Sequence, residues 1–185
     1  MCIRDMTSEA GLEASPDRWS FAAAWEDLDN DGDQDLYVAN DFGRNSLFLN
    51  DTIPGGTPRF RNAAAELGLE DMASGMSVTW GDYNRDGRMD LYVGNMFSAA
   101  GNRITFQRQF TGARPDTATQ IQRMARGNTL FQGHEDGSFR DVSESASVTM
   151  GRWAWSSLFA DLNNDGWQDL LVSNGYLTNE LTDDL

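Results

Sequence analysis

Apolar and polar positions alternate along this chain in short runs, each bounded by Gly, Asn or Asp. A run such as Asp35-Leu-Tyr-Val-Ala-Asn40 alternates with a period of two and reads as a strand. Aromatic and branched residues concentrate in these runs, as a pleated, half-buried surface favours. The pattern predicts strands near 46–50, 59–62, 75–81 and 90–94, and again near 129–132, 138–142, 152–160 and 169–173. Four short strands per unit of about 50 residues is the spacing of a propeller blade. The expected fold class is therefore all-β, a β-propeller segment of about three four-stranded blades.

The strands belong to a repeat. Three segments, Trp25 to Asn40, Trp80 to Asn95 and Phe159 to Asn174, share one pattern: aromatic-x-Asp-x-(Asp/Asn)-x-Asp-Gly-x-x-Asp-Leu-(Tyr/Leu)-Val-x-Asn. A second element recurs as Asn45-Ser-Leu-Phe48 and Asn128-Thr-Leu-Phe131, and a third as Arg59-Phe-Arg-Asn62 and Ser138-Phe-Arg-Asp141. Phe60 precedes Trp80 by the same interval that separates Phe139 from Phe159, so the register is kept as well as the motif.

This parses the chain as one partial propeller domain over 1–185. Its parts are an incomplete blade over 1–40, a blade over 46–95, an insertion over 96–127, a blade over 128–174 and a tail over 175–185. Residues 3–10 align with 139–146, so the first blade opens at its second strand. The remaining blades are expected from a longer chain or from another copy, because open sheet edges otherwise invite aggregation. The insertion carries Arg103, Arg108, Arg114, Arg123 and Arg126 against the single acid Asp116. Asp116-Thr117 is expected to cap a short helix running to about Arg126. Two roles are open for it, a cover that neutralises the acidic face and a protrusion that binds a partner.

The repeated loops carry metal chemistry. Calcium takes six to eight oxygens, and Asp-x-Asp-x-Asp-Gly-x-x-Asp supplies them from one tight turn. Side chains at positions 1, 3, 5 and 9 converge, position 7 offers its carbonyl, and Gly at position 6 permits the turn. The first loop uses Asp27, Asp29, Asp31, Asp33 (carbonyl) and Asp35; the second Asp82, Asn84, Asp86, Arg88 (carbonyl) and Asp90; the third Asp161, Asn163, Asp165, Trp167 (carbonyl) and Asp169. About three Ca²⁺ ions are expected, one per loop. Without a cation the clustered carboxylates repel one another and oppose folding. Mg²⁺ fits less well, since it keeps its waters. An EF-hand is excluded because its position-12 Glu is replaced by Val38, Val93 and Val172, and strands flank the loops instead of helices.

Asp27-Leu-Asp-Asn-Asp-Gly-Asp-Gln-Asp-Leu-Tyr-Val-Ala-Asn40, followed by Asn45-Ser-Leu-Phe48, resembles the FG-GAP/VCBS repeat. The variety it is most similar to is that of bacterial proteins akin to cartilage acidic protein, often joined to an ASPIC/UnbV domain. The resemblance covers nearly all of the chain outside 96–127. It implies a seven-bladed propeller of the kind found in integrin α-subunit heads, with calcium in hairpin loops at the blade edge.

Charge and composition narrow the function. There are 29 acidic residues against 14 basic ones, all Arg, for a net charge of −15. So acidic a chain repels nucleic acid and anionic membranes. No apolar run reaches the length of a membrane span. The lone Cys2 allows no internal disulfide, and calcium loops can serve as staples instead in exported proteins. No nucleophile elbow or phosphate loop is present. His134, the single histidine, falls in the turn Gly133-His-Glu-Asp-Gly137 and is expected to be solvated. Trp153 and Trp155 are expected in strand core. The chain is therefore read as a non-enzymatic module for adhesion or protein interaction, with structural calcium, at an extracellular, periplasmic or cell-surface location. A lectin-like propeller with a glycan ligand, or an accessory domain of a larger secreted enzyme, are the alternatives.

Overall fold

The computed structural model describes residues 3–13, 18–107 and 115–174. Cys2, Arg108, Arg114 and the 175–185 tail lie outside them. In chain order the elements are β1 (Ser20–Glu26), β2 (Asp35–Asn40), β3 (Ser46–Asn50), β4 (Phe60–Asn62), β5 (Gly75–Gly81), β6 (Asp90–Asn95), α1 (Ala99–Thr105), α2 (Pro115–Arg126), β7 (Thr129–Gly133), β8 (Phe139–Asp141), β9 (Ala154–Ala160) and β10 (Asp169–Asn174). The mostly-β expectation holds, and the strand bounds follow the alternating runs closely.

Hydrogen bonding groups the strands out of phase with the sequence units. One antiparallel sheet runs β1-β2-β3-β4, a second β5-β6-β7-β8, and β9 pairs with β10. The strands at 46–50 and 60–62 thus complete the sheet that begins at Ser20; they do not join 75–95 as the unit 46–95 implied. Likewise 129–133 and 139–141 close the second sheet. The connections explain it. Five residues separate Asn40 from Ser46, enough for an antiparallel neighbour, whereas the stretch 63–74 is long enough to carry the chain to the next sheet. The three Asp-rich loops sit at the tips of the hairpins β1–β2, β5–β6 and β9–β10, where Glu26 faces Asp35, Gly81 faces Asp90 and Ala160 faces Asp169.

The sheets stack through one recurring set of contacts. Tyr37, Ala39, Leu47, Leu91, Val93 and Phe131 form the buried core between the first two sheets, with Trp80 packed against it. Tyr37 meets Trp80 edge-on at 6.1 Å between centroids, and Trp80 meets Phe139 at 6.1 Å. One step on, Tyr92 meets Phe159 at 6.3 Å. Such pairs add roughly 0.5–1.5 kcal/mol each beyond the area they bury. A preceding turn leans on the last strand of each four-stranded sheet: the Phe60 N–H of β4 donates to the Ala10 carbonyl, and the Phe139 N–H of β8 to that of Leu67. Gly11 and Gly68, both at positive φ, allow this, since a Cβ there would come within 2.7 and 2.6 Å of the Phe60 and Phe139 carbonyl oxygens.

The 96–127 insertion folds back onto the sheets. Its ends are held by a clip that also occurs without an insertion: the Asn95 N–H donates to Asn128 Oδ1 at 2.8 Å, as the Asn40 N–H does to Asn45. Once that clip joins the ends, a longer excursion costs little extra loop entropy. Helix α2 starts at Pro115, a residue suited to the first helical position. Asp116 and Thr117 fall within that helical span, which ends at Arg126 as expected. Helix α1, absent from the sequence expectations, is capped by Ser98, whose side chain accepts from the Gly101 N–H. Arg123 then bonds Asp71 at 2.8 Å and Asp141 at 2.9 Å, and Arg126 bonds Asp141 at 2.7 Å. Burial would lower Arg123, but the Asp71 and Asp141 carboxylates outweigh it and hold the guanidinium above its ordinary value.

Trp155 corrects an expectation. It is 40% exposed and lies 6.0 Å from Phe21 and 6.2 Å from Trp153, forming an aromatic row at the surface instead of core. Trp155 lies on β9, where the half-exposed Phe21 of β1 is its neighbour.

Candidate metal centres

Each loop is built the same way from position to position. Gly32, Gly87 and Gly166 adopt positive φ, and so do the residues at position 4: Asn30, Arg85 and Asn164. Two left-handed residues in one short turn aim successive N–H groups inward. The Gly32 N–H donates to Asp27 Oδ2, and Gly87 and Gly166 donate to Asp82 and Asp161. The N–H of Asp33, Arg88 and Trp167 donates to the position-5 carboxylates Asp31, Asp86 and Asp165. The position-4 conformation was legible only where Asn occupies it, because Asn tolerates this region and Arg does not favour it. Arg85 gains something else: its guanidinium lies over the Trp167 ring at 5.1 Å, tying the second loop to the third.

The first loop brings Asp27, Asp29 and Asp31 together, with one oxygen from each lying within 4.8 Å of the others. Asp27 Oδ1 and Asp33 Oδ1 are buried with no hydrogen-bond partner. Buried carboxylate oxygens are costly unless paired or bound to a cation. Hard oxygen donors at this spacing, with orphaned lone pairs among them, fit Ca²⁺. In the second and third loops Asn84 and Asn163 donate to Asp86 and Asp165 at 2.9 Å, which quenches part of the charge. The Arg88 side chain does not stay clear of its loop: it pairs with Asp86 at 2.6 Å and competes with a cation there.

Position 9 has a second task that the loop pattern alone concealed. Asp35, Asp90 and Asp169 accept from the position-2 N–H of Leu28, Tyr83 and Leu162 at 3.0, 3.2 and 3.0 Å. Asp35 and Asp90 use their other oxygen to accept from Asn50 and Gly133 on the third strand of the sheet. These two residues are buried staples between hairpin tip and neighbouring strand.

The FG-GAP-like repeat model matches residues 27–93 and 113–172, which together take in all three loops. This chain belongs to the FG-GAP-like repeat family. It is also 22% identical to mouse cartilage acidic protein 1 over 209 residues, an alignment covering 95% of this chain and 31% of that protein. The chain therefore spans about a third of the length of that curated relative. No helix among the described residues is long and apolar enough to cross a membrane.

The FG-GAP-like loops carry a defined electrostatic load. Burial pushes Asp90 up to about 6, against the N–H bonds from Gly133 and Tyr83, with Asp86 and Asp82 adding to the rise. Asp35 is raised by burial and Asp33 by desolvation and the neighbouring loop acids. A carboxyl whose folded value is raised stabilises most below its ordinary value of 3.8, and that contribution is lost as pH climbs through about 6. Asp141 works oppositely. Burial opposes its ionisation, but Ser143 and Arg126 outweigh burial, so its contribution is lost only in more acidic solution. Metal-stripped protein is thus expected to melt at a lower temperature at pH 6 than at pH 4. Calcium should reverse the trend, because bound metal requires the ionised carboxylates. A melting temperature of stripped protein that rises across this interval would contradict the assignment.

His134 is not a freely solvated turn residue. Its backbone exchanges bonds with Ser138 and Gly137, and its Nε2 is buried without a partner at the edge of a cleft between the first two loops.

Proposed function

We propose that this chain is part of a seven-bladed, calcium-stapled propeller that serves protein recognition outside the cytoplasm, with no catalytic role. The observation that carries the reading is the first loop, where three converging carboxylates and two orphaned buried oxygens sit at a hairpin tip. Asp27, Asp29, Asp31 and Asp35 would hold the ion, with Asp82, Asn84, Asp86 and Asp90, and Asp161, Asn163, Asp165 and Asp169, doing so in the other loops. The position-7 carbonyls of Asp33, Arg88 and Trp167 would complete each set. The metal's contribution is charge neutralisation that locks hairpin to sheet. Membership of the FG-GAP-like family supports the propeller. So do the exposed faces: Trp25 is 53% exposed and Leu171 is 49% exposed, while Tyr92, the Leu171 counterpart, is buried between sheets. Further blades would cover both.

Calcium titration by calorimetry of metal-stripped protein tests the assignment. Binding to three sites is expected, with the first loop tightest because it places Asp at position 3 and lacks the competing Arg88. Asp29→Asn should selectively weaken the tightest site by about tenfold, the loss of one charge-assisted ligand. Identical isotherms for D29N and the parent would count against that ranking. A glycan-binding reading draws on the surface row Phe21, Trp155 and Trp153, and a glycan array separates it from protein recognition.

A further inference from the structure

A cleft of about 640 Å³ opens between the first Asp-rich loop, the end of the second loop at Gly87 to Met89, and the β7–β8 turn at Gly133 to Gly137. This is the size range of ligand sites. Its floor is apolar, with Leu49, Leu67 and Phe139, while Glu26, Glu135 and Asp136 stand on its walls.

The charges in the cleft are unbalanced. Its two cations are already engaged: Arg61 with Asp51 and Glu66, and Arg88 with Asp86 and the Gly133 carbonyl. Asp136 accepts from Ser138. The carboxylates of Glu26 and Glu135 have no ion pair or hydrogen bond among the described residues, and His134 Nε2 is buried at the same wall without a partner. An apolar floor beneath free carboxylates matches a side chain with an aliphatic stem and a cationic head. The field of a chain with net charge −15 adds to the attraction.

We infer that this inter-sheet cleft receives an arginine or lysine side chain presented by a partner protein. The stem lies on Leu49, Leu67 and Phe139, and the head is held by Glu26 and Glu135. Arginine is the better fit, since its planar fork pairs with two carboxylates at once. The inference deepens the protein-recognition reading and rests on it, but does not depend on the metal. Calcium would neutralise Asp27 and Asp29 and leave Glu26 and Glu135 as the acids that select the ligand.

The test is a titration of the isotopically labelled 185-residue chain, followed by amide resonances, in saturating calcium and again after calcium is stripped. The probes are N-acetyl-arginine amide and its neutral isostere N-acetyl-citrulline amide. Saturable shifts at 87–89 and 133–137 are expected with the arginine probe, with the citrulline probe weaker by about tenfold. The double variant Glu26→Gln with Glu135→Gln should weaken the arginine probe by a similar factor while melting at the parent's temperature. Equal response to both probes, shifts elsewhere only, or shifts undiminished in the double variant would each overturn the inference. Shifts that appear only without calcium would overturn it too, by assigning the cation to Asp27 and Asp29. If calcium itself perturbs no amide in 27–35, the metal reading fails independently.

Discussion

Excess chelator is expected to lower the melting temperature of this protein by about 15–30 °C relative to millimolar calcium. With free calcium about a hundredfold above a site's dissociation constant, each site adds about 2.7 kcal/mol to folding, or about 8 kcal/mol for three. For a chain of this size each kcal/mol moves the midpoint by roughly 2–4 °C. The load comes from particular atoms. Asp27, Asp29 and Asp31 lie within 4.8 Å of one another, and Asp27 Oδ1 has no hydrogen-bond partner to share its charge. Like charges at such distances repel by several kcal/mol in a partly screened environment. The second and third loops feel this less, because Asn84 and Asn163 are neutral and Arg88 already sits on Asp86. Differential scanning with and without chelator reads the effect, and an unchanged midpoint would remove calcium from the account of stability.

Arg123→Met is expected to destabilise the fold by about 3–5 kcal/mol, the range for removing one partner of a buried ion pair. Asp71 is wholly buried, and its carboxylate depends on Arg123 and on a hydrogen bond from Asn95. Removing the guanidinium leaves that charge uncompensated in the core. It also removes one of two arginines from Asp141, which retains Arg126 and Ser143. The double variant Asp71→Asn with Arg123→Met should recover much of the loss, since a neutral amide in place of the carboxylate can still accept from Asn95 without carrying charge. Denaturant unfolding of the two variants decides the matter: a double variant no better than R123M would mean that helix packing, not the ion pair, was lost. The chemistry explains why a long Arg-rich insertion is held on an acidic scaffold. It supplies the guanidinium that pairs with the buried Asp71 and, with Arg126, the charges that hold the Asp141 carboxyl below its ordinary value.

Much of this was legible in the residues. Strand positions followed from alternation, because strand formation answers to local pattern and to the Gly, Asn and Asp that end each run. The Asp-rich loops were legible for the same reason: a turn of nine residues contains nearly all of its own partners. Position 6 had to be Gly, and all three loops place it at positive φ.

What was not legible depended on partners distant in the chain. A repeat has no marked starting point, so 46–95 and 20–62 were equally valid units until hydrogen bonds from β2 to β3 chose the second. The double duty of Asp35 and Asp90 needed Asn50 and Gly133 brought alongside, and Arg123 gave no sign that its partner would be Asp71, 52 residues earlier. The sequence by itself determined the strands, the turns and the carboxylate chemistry at their tips, since these rest on neighbours a few positions away. Only the tertiary structure decided the phase of the sheets, the docking of the insertion and the cleft between loops. Those rest on contacts between segments that meet only when the sheets stack.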